Sequence, residues 1–215
     1  VWDKLRGVSV WGYDFAKDVI ETRPFGERYP NDYLKTQNNP YVGGAGVLKN
    51  ELSSGANFHS RGFPVRVYFN GKFNGMYCLI YKKNRDNYEQ KKDNVDHIHL
   101  DGELDSSAFW NGNIAWTRFE VRNPKGLKTI DGEKYDGDNP KELSDTDIFT
   151  KSVKDKVIRL SQSIPTIKAN PNKATFEEYF IPSTLIDYFI VSQVTYNYDG
   201  FSKNWQWLSW DGDKF

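Results

Sequence analysis

The sequence predicts an α+β fold, with a mixed or antiparallel sheet first and a helical part after it. A hairpin pattern occupies residues 64–81, and helix-type periodicity extends over much of residues 144–194. A polar loop and an aromatic strand at residues 205–210 follow the helices. Because strands and helices are segregated along the chain, this order favours α+β over an alternating α/β arrangement.

Composition limits the classes of function. The 215 residues include 29 basic and 29 acidic side chains, so the net charge gives no reason to expect nucleic acid or an anionic membrane as partner. No apolar run approaches the length of a membrane span. Cys78 is the only cysteine, which excludes a disulfide framework and a cysteine-based zinc site. The 7 Trp, 13 Tyr and 14 Phe favour a dense aromatic core or a surface that stacks on flat ligands.

We expect one domain fragment over residues 1–215, trimmed at both ends because the chain starts without methionine and stops just past a turn. Within it, residues 1–46 carry few structural signals. Residues 47–125 are the sheet-rich part, and residues 144–215 are the helical part that ends in the polar loop and hairpin strand.

Strand patterns dominate the first half. Val8–Trp11 could form a short strand. β-branched and aromatic residues fill 64–69 and 76–81, and the Asn-Gly pairs at 70–71 and 74–75 predict a tight reversal between them. Both segments carry apolar residues on both faces. The pattern therefore predicts a hairpin that lies inside a larger sheet.

Several polar groups have both a structural and a binding interpretation. The glycines of 42–46 lack the Gly-Lys-Ser/Thr ending of a phosphate loop, which favours a flexible loop. His97 and His99 would share one strand face, but no third ligand is nearby, so we expect half-exposed strand residues rather than a zinc site. The Asp-Gly pairs of 126–144 lack EF-hand spacing, which favours a surface loop over calcium. A solvated face is preferred over a phosphate site for the basic cluster of Lys82, Lys83, Arg85, Lys91 and Lys92.

A further strand and three helices are predicted next. Ala115–Arg122 has strand character, and Ser144 to about Ser163 has the periodicity of an amphipathic helix. Thr175 with Glu178 forms a capping box before a short helix. Thr184 to about Val194 is apolar nearly all round, which predicts a helix buried in a core.

The loop after the last helix carries residues suited to phosphoryl transfer. Asp199 and Asn204 are five positions apart, the spacing of the catalytic Asp and the magnesium-binding Asn in a kinase catalytic loop. Asp199 can deprotonate an acceptor hydroxyl, Asn204 can bind magnesium, and Lys203 can approach the γ-phosphate. Asp-Gly and Asn are also common in ordinary turns, so the spacing alone leaves a structural loop open. The apolar helix before it and the strand Trp205–Trp210, with its turn at Asp211-Gly212, favour the catalytic interpretation.

An ordered set of stretches resembles the CotH kinase family, named for spore coat protein H, from about Val47 to the C-terminus. The stretches are Pro64–Gly71 with Gly75–Tyr77, Phe119–Gly126, Leu185–Ile190, Tyr196–Gly200 and Asn204-Trp205.

The resemblance implies a divergent protein-kinase-like fold that uses ATP and Mg²⁺. It implies transfer to Ser or Thr of secreted or cell-envelope proteins, hence an extracytoplasmic location. By position, Asp199 resembles the catalytic Asp and Asn204 the metal-binding Asn, and Lys203 matches the loop lysine. The family's N-terminal Arg-Gly-Asn-Ser segment is not recognisable here, and its later metal-binding Asp lies beyond Phe215.

Two other functions are compatible with the sequence. The first is a non-catalytic pseudokinase, or a module of a secreted protein whose aromatic side chains stack on sugars or peptides. The second is a calcium-dependent adhesive domain built on the Asp/Gly loops. Transfer of phosphate from ATP would distinguish the kinase from both.

Overall fold

The computed structural model describes residues 8–23, 62–80, 85–102, 109–197 and 205–215. It forms two compact units. The first takes in residues 1–89 and 186–196, and the second takes in residues 90–185 and 197–215. The glycine segment 42–46 and the lysines Lys82 and Lys83 lie outside the described residues.

Helices and short antiparallel strands make up both units, in agreement with the predicted α+β class. Among the residues described, no helix has the length and apolar character needed to cross a bilayer. In chain order the elements are α1 (Val8–Glu21), β1 (Gly62–Phe69), β2 (Lys72–Ile80), β3 (Ile98–Gly102), β4 (Glu120–Asn123), α2 (Ile148–Ser161), α3 (Ser163–Ala169), α4 (Lys173–Glu177), α5 (Pro182–Val194) and β5 (Trp205–Ser209).

The first unit begins with a helix where the sequence suggested a strand. Val8–Trp11 is the first turn of the 14-residue helix α1, so the strand prediction is wrong. Four residues are too few to reveal a helical period, which becomes visible only over the whole segment. Trp11 and Phe15 lie one turn apart and stack with ring centroids 5.7 Å apart.

The hairpin β1–β2 confirms the predicted reversal and places it at one Asn-Gly pair. Asn70 and Gly71 have φ of 48° and 77°, which is the two-residue turn with left-handed backbone that matches the twist of the strands. The second strand therefore starts at Lys72 rather than Met76. The pair Asn74-Gly75 forms a bulge within β2, because Gly75 faces Val67 while Phe73 faces Tyr68.

The prediction that this hairpin lies inside a larger sheet is wrong for the residues described. There it is a two-stranded sheet, with Phe69 73% exposed and Leu79 58% exposed. Apolar residues on both faces of a strand show that it can be covered on both faces. They do not show that anything covers it.

Helix α5, which belongs to the first unit from Ile186 onward, also differs from its prediction. Its buried residues are Asp187 and Ser192, whereas Phe189 is exposed. The carboxylate of Asp187 receives the Nε–H of Arg23 over 2.6 Å and also accepts a bond from Nη2 of the same side chain. This two-pronged ion pair explains why a charged side chain occupies the buried face of an otherwise apolar helix.

The second unit is built on the antiparallel sheet β4–β3–β5, with β3 in the centre. Side chains alternate across these strands, so Ile98 and Leu100 of β3 face one side and His99 and Asp101 the other. The first side packs on an apolar cluster that includes Val157 of α2. This cluster is the core of the unit.

The strand predicted for Ala115–Arg122 is confirmed only in its second half. A 3₁₀ turn occupies Trp116–Arg118, and the strand β4 begins at Glu120. The turn brings the rings of Trp116 and Phe119 to 5.6 Å from each other, and both contribute to the core. Packing of two large rings against the same cluster thus overrides the extended tendency of the local sequence.

Two helices begin at N-cap side chains that no predicted capping motif includes, Asp147 and Asn172. Helix α2 begins at Ile148, where Asp147 accepts the N–H of Thr150 over 3.0 Å. The hydroxyl of Thr150 also donates to this carboxylate, and the two hydrogen bonds lower the pKa of Asp147 to about 2. In α4 the cap is Asn172, not Thr175, since Thr175 donates its N–H to the Asn172 side chain.

The predicted turn at Asp211-Gly212 is confirmed, but it does not lead into a strand that pairs with β5. Asp211 Oδ1 accepts the N–H groups of Asp213 and Lys214. The buried residue Phe215 then exchanges backbone hydrogen bonds with Tyr179 and Ile181. The strand that β5 pairs with is β3.

Candidate functional site

The three residues predicted for catalysis, Asp199, Lys203 and Asn204, lie outside the described residues. The structure therefore describes how the chain is held directly after them. Strand β5 begins at Trp205, the residue that follows Asn204 in sequence.

Trp205 is held by a close stack against the central strand. Its register partner on β3 is Gly102, and a Cβ atom at Gly102 would overlap the indole ring. The ring centroids of Phe109 and Trp110 each lie 6.2 Å from that of Trp205. Trp205 is 5% exposed, so the start of β5 is fixed by aromatic packing on a backbone that lacks a side chain.

A partly buried polar network occupies the opposite face of the same strands, with His99 and Asp101 as its buried members. Gln206 lies opposite Asp101 on β3 and donates its Nε2–H to Asp101 Oδ2 over 3.3 Å. Its side chain also interacts with the imidazole of His99. Burial, and secondly the positive charge of Arg122, lower the pKa of His99 to about 3. The imidazole is therefore neutral at physiological pH.

Arg122 supplies the positive charge of this network. Its Nε lies 2.8 Å from Asp101 Oδ2 and 3.0 Å from Glu120 Oε2, so one guanidinium lies between two carboxylates. Burial raises the pKa of Glu120, while Arg122 opposes that rise. The backbone at Gly137 covers the Glu120 carboxylate closely enough that a Cβ there would overlap it. The network therefore combines a desolvated acid, a cation shared by two carboxylates and a neutral histidine.

The other predicted polar groups play structural parts. His97 precedes β3, and its Nδ1 accepts the N–H of Lys91 over 2.8 Å. The prediction that His99 is half-exposed is wrong, because it is fully buried in the centre of the sheet. Lys91 and Lys92 are exposed, as expected of a solvated face. In the part of the chain that the structure describes, no three His, Cys, Asp or Glu side chains cluster as a metal site would require.

No single motif in the sequence reveals this network, because its members are dispersed along the chain. The local signal was present: polar residues alternate with apolar ones in His99-Leu100-Asp101 and in Glu120-Val121-Arg122. Alternation of this kind predicts strands with one polar face. It does not reveal that the polar face is buried, or that the two strands and Gln206 share it.

The sequence also matches a model of a known protein family. The model described as CotH kinase protein matches residues 50–215, more than three quarters of the chain. The chain belongs to the CotH kinase family. The resemblance found on individual motifs is thereby confirmed, and the match spans the loop of Asp199 and Asn204 together with β3, β4 and β5. No curated protein and no solved structure matches the chain.

Family membership indicates which ligands the chain should bind. CotH kinases are phosphotransferases by family description, so ATP and a divalent metal are the groups whose binding must be considered. The described residues of the polar network do not include a free pair of carboxylates, since Arg122 lies between Asp101 and Glu120. Their arrangement suits ion pairing across the sheet better than direct metal binding.

Proposed function

We propose that this CotH-family chain is a protein kinase with a protein-kinase-like fold. It transfers the γ-phosphate of ATP to Ser or Thr hydroxyls of secreted or cell-envelope proteins, in an extracytoplasmic location. Asp199 is the base, Asn204 binds Mg²⁺, and Lys203 approaches the γ-phosphate. The observation that carries this proposal is the family match over residues 50–215, a range that includes all three residues.

The chemistry asks little covalent work of the protein. ATP would supply the phosphoryl group and leave as ADP, and Mg²⁺ would offset the negative charge of the phosphates. The Asp199 carboxylate orients the acceptor hydroxyl and takes its proton, which increases the nucleophilicity of the oxygen. The amide oxygen of Asn204 is a hard ligand of the kind Mg²⁺ prefers. The ammonium of Lys203 compensates charge on the transferring group.

The decisive experiment measures transfer of labelled phosphate from ATP to a Ser/Thr-rich acceptor by the full-length protein in the presence of Mg²⁺. Asp199→Asn keeps the size of the side chain and removes the base, so transfer should fall about 10²–10⁴-fold. The matched control is Asp131→Asn, which makes the same change at an exposed loop carboxylate and should leave transfer unchanged.

The result that overturns the kinase proposal is an absence of both phosphate transfer and Mg²⁺–ATP binding in the full-length protein. Equal activity of wild type and Asp199→Asn would overturn the role of Asp199 alone. The proposed location is tested separately, by fractionating the native cells and asking whether the protein is recovered outside the cytoplasm.

One observation favours the alternative of a non-catalytic binding module. The hairpin β1–β2 exposes several aromatic rings in the described structure, namely Phe63, Tyr68, Phe69, Phe73 and Tyr77. Exposed rings can stack on sugars or on peptide side chains. A protein that binds an immobilised glycan or peptide through these rings, loses that binding in Phe69→Ala and transfers no phosphate would support this function instead.

A further inference from the structure

We infer that the tip of the hairpin β1–β2 docks on the surface of an anionic lipid bilayer. This hairpin tip is the segment Arg66–Phe73, which includes the turn between the two strands. Its aromatic rings enter the interface between lipid headgroups and acyl chains, and its two cations contact the headgroup phosphates. Binding of this kind goes beyond the proposed function and does not require phosphate transfer.

Three aromatic side chains of the hairpin tip are exposed. Phe69 is 73% exposed, Phe73 59% and Tyr68 57%. Tyr68 lies opposite Phe73 across the strands, and the two rings meet edge to face with centroids 5.6 Å apart. The left-handed turn at Asn70-Gly71 joins the strand ends directly. Because paired backbone already holds the rings, ordering them on a surface costs little additional conformational entropy.

The exposed rings project from both faces of the hairpin. Side chains alternate along a strand, so Phe69 shares one face with Phe63. Tyr68 and its cross-strand partner Phe73 lie on the other face, and all four rings are exposed. A protein surface docked on one face would leave the rings of the other face in water. A bilayer interface surrounds an inserted tip on every side, and it is the depth at which membrane proteins concentrate aromatic side chains.

The charge of this segment is complementary to an anionic membrane. Equal numbers of acidic and basic residues in the whole chain conceal a local excess, because six basic and no acidic residues lie between Glu51 and Asp86. In the hairpin tip the cations are Arg66 and Lys72, and both are exposed. Neither has an ion-pair partner among the described residues. A basic residue near an anionic membrane surface increases affinity about fivefold. Cations beside exposed rings are therefore suited to this interface.

The test measures co-sedimentation of the full-length protein with vesicles of phosphatidylcholine alone and with vesicles of phosphatidylcholine and phosphatidylglycerol in equal proportion. We expect wild type to bind the mixed vesicles and to be released as ionic strength rises, because salt screens the charges. Phe69→Ala should weaken this binding roughly tenfold, since less apolar area enters the interface. Lys72→Gln should weaken it about fivefold.

Two matched controls change exposed side chains outside the hairpin. Ile148→Ala removes an apolar side chain that is 89% exposed at the start of α2. Lys134→Gln removes an exposed cation from the 126–144 segment. Both variants should bind the mixed vesicles as wild type does. Thermal unfolding establishes that each variant is folded. Should Phe69→Ala not fold, Lys72→Gln decides, and wild-type vesicle binding by that variant overturns the docking site.

Other results would also contradict docking on a bilayer. These are an absence of vesicle binding by wild type, equal binding to the neutral and mixed vesicles, and equal losses in the hairpin variants and the controls. Binding of poly-glutamate or single-stranded DNA through Phe69 and Lys72, without binding to vesicles, would overturn the inference and identify a soluble polyanion as the partner. Phosphate transfer to a soluble acceptor is measured independently, so the kinase proposal can fail or stand without affecting this result.

Discussion

The hairpin β1–β2 and the sheet β4–β3–β5 are both antiparallel and both rich in apolar side chains, yet they differ in how far those side chains are buried. In the described residues of the hairpin, Phe69 and Leu79 are exposed. In the three-stranded sheet, Ile98 and Leu100 are fully buried, and the opposite face is occupied by the polar network of His99 and its neighbours.

The difference teaches that apolar content and burial are separate properties of a strand. The hairpin owes its conformation to local turn chemistry at Asn70-Gly71 and to backbone pairing. The three-stranded sheet owes its stability to a core contributed by distant segments, including helix α2. Mutations that separate local from distant contributions should therefore act very differently in the two regions.

The largest expected effect comes from a pair of leucines that differ in burial. Leu100→Ala, in the central strand, should lower the free energy of unfolding by about 2–5 kcal/mol, because it opens a cavity in the core. Leu79→Ala, in the hairpin, should cost less than about 0.5 kcal/mol. Urea denaturation of both variants measures the contrast, and equal losses would mean that the hairpin is buried as well.

The second-largest expected effect concerns the ion pair between Arg23 and Asp187 in the first unit. Asp187→Leu should lower the free energy of unfolding by about 1–3 kcal/mol, since it removes the carboxylate that two Arg23 donors contact. A double-mutant cycle with Arg23→Met isolates the coupling between the two side chains. A gain of stability in Asp187→Leu would show that apolar packing governs this face of α5 as it governs the sheet.

A smaller effect should follow from backbone conformation at the hairpin turn. Gly71→Ala adds a Cβ that meets no atom within 4 Å, but φ is 77°, so the cost of about 1–2 kcal/mol is conformational. Gly12→Ala is the matched control in helix α1, where the Cβ makes ordinary contact with Thr195 and should be neutral or stabilising. Amide hydrogen exchange in β1 and β2 measures both variants, and protection that survives Gly71→Ala would contradict the turn's role.

The smallest expected effect concerns pH and the polar face of the larger sheet. Burial raises the pKa of Glu120 above its ordinary value of 4.5. A raised carboxyl pKa favours folding below the ordinary value, and that contribution is lost as pH rises through the folded value. The difference in unfolding free energy between Glu120→Gln and wild type should therefore favour the variant more at about pH 7 than at about pH 4. Unfolding curves at the two pH values provide the measurement, and the reverse order would mean that Arg122 outweighs burial.

Local signals allowed much of the fold to be predicted. The Asn-Gly turn at 70–71 and the apolar period of 148–161 each depend on neighbours in sequence, and both were recognised. Asn172 was missed as a helix cap, although its signal was also local, because Thr175 and Glu178 offered a competing capping box.

Properties that depend on distant contacts were not predictable in the same way. The burial of His99 depends on strands contributed by residues far along the chain. The buried face of α5 depends on Arg23, which lies 164 positions from Asp187. For the site, the sequence supplied Asp199, Lys203 and Asn204 through spacing and resemblance. It could not reveal the packing of Trp205 on Gly102, which exists only once β3 and β5 are paired.

The stack of Trp205 on Gly102 also constrains how CotH kinases can diverge. A lone glycine gives no hint of a partner, but here the space it leaves is filled by one particular ring. A residue larger than glycine at this position is compatible with the fold only when a smaller side chain replaces the tryptophan. The two positions should therefore change together among relatives, as a linked pair whose members are about a hundred residues apart in sequence and adjacent in the sheet.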